Sequence, residues 1–229
     1  MKNLKIGIFG DSYSFDPKQS GNHSWPALLF TESNSYSYNY SHPGSSPWWS
    51  YEQFLTHRVH YDVIIFCYSN YTRWPVLPEH LTGKAFFTPH FSELEEMKKY
   101  TDVYFDIFSD KLLKFTYENI FRSVNEICKQ EGRYLINLQT TEDLKSNFDF
   151  PNYYGLHFIA VNEKTYFNGK PITLCELHTT HGVPDNRKCH LTKSNNLRLF
   201  EFIKKAISER PSKVNLDLYR EFSWTEFEN

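Results

Sequence analysis

Residues 5–15 read KIGIFGDSYSF: a short apolar stretch ends at Gly10 and is followed at once by Asp11 and Ser12. A serine delivered to the end of a buried strand either caps the next helix through its oxygen or offers its hydroxyl for reaction. The second use needs a base nearby and donors for the negative charge that an attack creates. Residues of suitable types occur at other segment ends: Gly44 in NYSHPGSS, Asn70 after VIIFCYS, and Asp185 and His190 in DNRKCHLT. A second chemistry competes for part of this set. Cys175, His178, His181, Asp185, Cys189 and His190 fall within sixteen residues and are of zinc-ligand type. Their spacing matches no standard finger, and on a strand His178 and His181 would point to opposite faces.

The elements that must position these residues are legible as periodicity. Residues 4–9, 62–69 and 133–138 are near-continuous apolar runs, the pattern of strands buried on both faces of a parallel sheet. Residues 156–161 and 172–177 read as further strands, and 36–40 as a short one with polar alternation. Helical spacing occupies 25–30, 49–55, 112–130 and 194–208. In the third of these Leu113, Tyr117, Ile120, Phe121, Val124 and Ile127 share a face, and Gly132 is placed to end it. In the last, Leu197, Phe200, Ile203 and Ile207 do so.

Alternating strands and helices predict a three-layer α/β/α sandwich with a mainly parallel sheet of about five strands in flavodoxin-like order. One domain over 1–210 is expected, followed by a C-terminal tail, 211–229. The Pro- and Gly-bearing stretch 71–92 lacks periodicity and reads as a lid or binding loop. Ligands of such sheets bind beyond the carboxyl ends of the strands, where Ser12, Gly44 and Asn70 fall.

Composition narrows the classes. The chain has 229 residues, 40% hydrophobic and 23% charged, enough for a core without staples. A net charge of −2 gives no footprint for nucleic acid. Cys67, Cys128, Cys175 and Cys189 are too widely spaced for a disulfide framework, so reduced thiols in a cytosol-like compartment are expected. No apolar run approaches membrane-spanning length, and the apolar core of the first segment is too short for a secretory signal. A cytoplasmic chain, not exported by its own signal and without a membrane partner, is the expectation. Aromatic residues make up 18%, including sixteen tyrosines, enough to fill a core and to line a binding surface as well.

Taken in order, IFGDSYS, NYSHPGSS, VIIFCYSN and HLT resemble the four blocks of the SGNH, or GDSL-type, serine esterases. The matches extend over residues 5–208. The resemblance implies Ser12 as nucleophile, His190 as base and Asp185 as its acidic partner. It also implies an oxyanion hole from the Ser12 and Gly44 N–H groups and the Asn70 amide, with no metal or organic cofactor.

Two positions depart from the family pattern. Arg187 stands three residues before His190, where the family has Asp, and Tyr68 and Ser69 precede Asn70 where glycine is usual. The implied reaction is ester hydrolysis through an acyl-enzyme, with Asp185 holding the imidazole tautomer. A helix after Ser12 would add its positive end. Trp48, Trp49 and Trp74 near the mouth suit a sugar ring or acyl chain, and Arg73 an anionic group. The aromatics, together with what the resemblance implies about substrates, favour a small acyl group, such as an O-acetyl, on a carbohydrate. The alternatives are a binding module on the same fold with a decayed triad, and a zinc protein built on the 175–190 cluster.

Overall fold

The computed structural model describes residues 4–15, 24–33, 37–71, 73, 109–139, 156–159, 165–167, 170–172 and 193–210. Five strands among them form one parallel sheet: β1 (Ile6–Phe9), β2 (Tyr38–Asn39), β3 (Val63–Tyr68), β4 (Tyr134–Gln139) and β5 (Leu156–Ile159). Their spatial order is β2-β1-β3-β4-β5, the flavodoxin-like order expected from the sequence. The order reverses between β1 and β3, so a crevice opens beyond their carboxyl ends.

Strand alternation sorts the side chains into two cores. Ile6, Ile8, Val63, Ile65, Cys67, Ile136 and Leu138 face one side, under α1 (Trp25–Ser33) and the last helix, α4 (Lys193–Glu209). Phe9, Ile64, Phe66, Tyr68 and Leu135 face the other, under α2 (Pro47–His57) and α3 (Asp110–Gln130). Both faces of β1 and β3 are covered, which is why their sequences are apolar throughout rather than alternating. The sandwich has three layers, as expected.

Local signals set the helix ends. Ser46 caps α2 by accepting the Trp49 N–H at 3.1 Å, with Pro47 at the first helical position. Ser109 caps α3 in the same way, accepting from the Leu112 N–H at 3.3 Å. At the other end Gly132 (φ 65°) and Arg133 donate to the Lys129 and Cys128 carbonyls, a Schellman termination.

One expected strand is misplaced. The region near 172–177 contributes only its first residue to a described strand, β7 (Lys170–Ile172), which pairs antiparallel with β6 (Thr165–Phe167) outside the main sheet. Asn168 and Gly169 separate the two strands in sequence, a pair favoured in two-residue hairpins, so local pairing wins over a crossover. Apart from Tyr71 and Arg73, the stretch 71–92 lies outside the described residues, as does the tail 211–229. No described helix is long and apolar enough to cross a membrane. Cys67 and Cys128 are buried free thiols.

Candidate active site

The chain leaves β1 through Gly10, where no side chain fits: a Cβ would sit 2.3 Å from Ser14 Oγ and 2.6 Å from Cys67 Cβ. Asp11 follows, fully buried. Its Oδ1 accepts the Tyr13 N–H at 3.1 Å, and its carbonyl accepts the Ser14 N–H at 3.2 Å. These bonds fold residues 11–14 into a turn with half-buried Ser12 on it. Among the described residues none hydrogen-bonds the Ser12 hydroxyl. Ser24, not Ser12, caps α1, accepting the Ala27 N–H at 3.4 Å. The expected helix dipole behind Ser12 is therefore not found: Ser12 lies in a turn, and the next described helix starts at Trp25.

The second loop is stitched to the first. The Gly10 carbonyl accepts the His42 N–H at 3.0 Å and the Ser45 hydroxyl at 2.9 Å. Asn39 donates its amide to the Ser14 carbonyl at 2.7 Å and accepts the Ser41 N–H at 2.9 Å. Ser14 and Ser41 share a hydroxyl bond of 2.8 Å. Ser45 N–H closes on the His42 carbonyl at 3.1 Å, with Pro43 second and Gly44 (φ 75°) third in the turn. That is the residue pattern of a type II turn, whose third position requires positive φ. Helix α2 starts three residues after Gly44, so the positive helix end lies on this loop's side.

The end of β3 joins both loops. Ser69 donates its hydroxyl to the Ser45 carbonyl at 3.1 Å. Arg73 donates its N–H to the Asn70 carbonyl at 3.1 Å and its Nη1 to Asp11 Oδ2 at 2.7 Å. Burial pushes the Asp11 carboxyl up, and the Arg73 guanidinium and Tyr13 N–H pull it partly back. Ser12, Gly44 and Asn70 each adjoin a residue of this network: Asp11, Ser45 and Ser69. Three segments far apart in sequence thus meet at the β1/β3 crevice.

No family model matches the sequence, and no curated protein matches it. Solved structures do. Over 89% of this chain and 99% of the other, it is similar to a protein assigned to the G-D-S-L lipolytic family from Desulfitobacterium hafniense DCB-2, with a TM-score of 0.51 and 13% identity. The two share a fold. TesA aligns over 89% of this chain and 97% of its own, with a TM-score of 0.46 and 12% identity. The psychrotrophic esterase EstA from Pseudoalteromonas sp., solved inhibited by monoethylphosphonate, aligns over 90% and 98%, with a TM-score of 0.48 and 11% identity.

Within this fold the expected site residues divide into two groups. Ser12, Gly44 and Asn70 come to one end of the sheet. His190, Asp185 and Trp74 lie outside the described residues, as does the whole Cys/His cluster of 175–190. Among the described residues no group of three His, Cys, Asp or Glu side chains could hold a metal ion. Trp48 is exposed and donates its Nε1 to Glu52 at 3.0 Å. Trp49 is half-buried, its ring 5.7 Å from that of His42, which in turn lies 6.5 Å from Phe15. Arg73 has its Nη1 committed to a carboxylate inside the protein rather than directed only to solvent. Asp11, Asn39, Ser41, Ser45 and Ser69, which build the loops, were not legible as site residues. The serine richness of SHPGSS hinted at Ser41 and Ser45 alone.

Proposed function

We propose that the chain is a serine hydrolase that cleaves esters through an acyl-enzyme. The observation that carries this reading is the hydrogen-bonded convergence of the Ser12, Gly44 and Asn70 segments at the switch point of the sheet. In the proposed reaction His190 takes the proton of the Ser12 hydroxyl as its oxygen attacks the acyl carbon. The imidazolium then gives that proton to the departing alcohol, and water releases the acid by the same steps in reverse roles. Asp185 orients the imidazole and stabilises its charged form.

The oxyanion lies among the Ser12 and Gly44 N–H groups and the Asn70 amide. One such donor is worth about 3–4 kcal/mol, judged by removal. The start of α2 beside Gly44 adds favourable potential for that charge. Trp48, Trp49 and Trp74 supply apolar and stacking surface, which suits a small acyl group on a carbohydrate.

The test is Ser12→Ala assayed on p-nitrophenyl acetate, with melting temperature as the control for folding. Turnover and fluorophosphonate labelling should both vanish while the melting temperature holds within a few degrees. Wild-type turnover in the folded variant would refute the assignment.

A further inference from the structure

We infer that Arg73 is a positioning residue that, through the buried carboxylate of Asp11, holds Ser12 in register with the Asn70 end of β3. The inference rests on the hydrolase reading and assigns Arg73 a role other than contact with substrate. Asp11 is 0% exposed, and an isolated carboxylate there would be costly. The local turn does not require that charge. Its bond from the Tyr13 N–H could be accepted equally by an asparagine oxygen. What the charge adds is a partner 62 positions away in sequence, at 2.7 Å.

The partner is itself anchored. Arg73 N–H binds the Asn70 carbonyl at 3.1 Å, so a displacement of the guanidinium is felt at Asn70. The ion pair therefore joins the residue before Ser12 to the loop that carries Asn70. The same segments are also joined by the β1–β3 ladder, which ends at Phe9 and Phe66, by a Ser14–Cys67 side-chain bond, and indirectly through Ser69, Ser45 and Gly10. The ion pair adds a tie beyond the end of that ladder, at the level of the loops that carry Ser12 and Asn70. Nucleophile and oxyanion donor must be held to a fraction of an ångström, and a misplacement of about 1 Å can cost about 100-fold in rate.

The test compares wild type, Arg73→Met, Arg73→Lys and the double variant Asp11→Asn/Arg73→Met. Each is measured for p-nitrophenyl acetate kinetics, second-order fluorophosphonate labelling and melting temperature. Arg73→Met should slow labelling and kcat by about 10- to 100-fold with KM within about twofold, since this ester carries no anionic group for Arg73 to bind. Arg73→Lys, which keeps the charge but not the planar fork, should recover part of the rate.

The double variant separates positioning from folding. It strands no buried charge, so its melting temperature should return toward wild type while labelling stays slow. Recovery of both in the double variant would reduce the pair to a structural role and overturn the inference. So would wild-type labelling in folded Arg73→Met, or a rise in KM with kcat unchanged. A wild-type protein that neither labels nor turns over would overturn the hydrolase reading and the inference with it. A labelled wild type with unaffected Arg73 variants overturns the inference alone.

Discussion

At the scale of single residues, Asp11 is the most costly group among the described residues of the site. Its carboxyl has no exposure to water, and burial raises its pKa more than Arg73 and the Tyr13 N–H lower it. The sign of the linkage follows. A carboxyl whose folded pKa lies above its unfolded value of about 3.9 binds protons more tightly when folded. Its contribution to stability is present below that unfolded value and is lost as pH rises through the folded one. Asn at the same position does not titrate. Wild type should therefore lose stability relative to Asp11→Asn as the pH is raised from 3.5 toward 7, measured by urea unfolding across that range. A wild-type advantage that grows with pH would mean that Arg73 outweighs burial and that the carboxyl is held low. Neither the pair nor its cost was readable beforehand, because a contact between positions 11 and 73 leaves no periodic trace. Arg73 read as a contact for an anionic substrate group, because nothing in the sequence around it points to a buried partner.

The elements tell the opposite story. β1, β3 and β4 were legible because strands covered on both faces are apolar nearly throughout, the buried Asn137 of β4, hydrogen-bonded to Tyr68 and Asn125, being an exception. Helix α3 was legible because only one of its faces meets the sheet, and its end was marked by Gly132. What periodicity could not locate was the geometry of the turns between elements. The β6–β7 hairpin shows the same limit from the other side: Asn168-Gly169 is a local signal, and the longer-range pattern obscured it.

Two glycines with positive φ now allow site and scaffold to be separated. Gly44 (φ 75°) sits in the loop bonded to Gly10, whereas Gly132 (φ 65°) ends α3 with nothing within 4 Å of where a Cβ would go. Alanine in the left-handed region costs about 1–2 kcal/mol at either position. Gly132→Ala should lower stability by that amount and leave fluorophosphonate labelling at the wild-type rate. Gly44→Ala should lower both, because relaxing its φ swings the N–H away from the proposed oxyanion position. Equal labelling in the two variants would remove Gly44 from the oxyanion hole.

For the molecule as a whole, the sheet is shared and the two cores are not. Cys67 lies in the core under α1 and α4, and Cys128, a residue of α3, in the core between the sheet and the α2 and α3 layer. Burial pushes both thiols up, Cys128 to about 12, so almost no thiolate exists at neutral pH and neither thiol is in contact with solvent. The two cysteines are thus built-in reporters of whether either helical layer opens alone. The central strands β1 and β3 send alternate side chains into both cores, so removing one layer exposes one full face of the sheet to water. At about 25 cal/mol per Å² of apolar surface, such exposure makes a half-open state far less favourable than local fraying. Partial opening of one layer should therefore be rare, and loss of packing should spread through the strands to the other side. A thiol reagent added at pH 8 along a urea series, with peptide mass mapping to distinguish these sites from Cys175 and Cys189, should label Cys67 and Cys128 with coincident midpoints. Labelling of Cys128 at clearly lower urea would show that the α2 and α3 layer detaches first. The Gly44 loop, which runs directly into α2, would then be expected to lose its geometry before the rest of the fold unfolds.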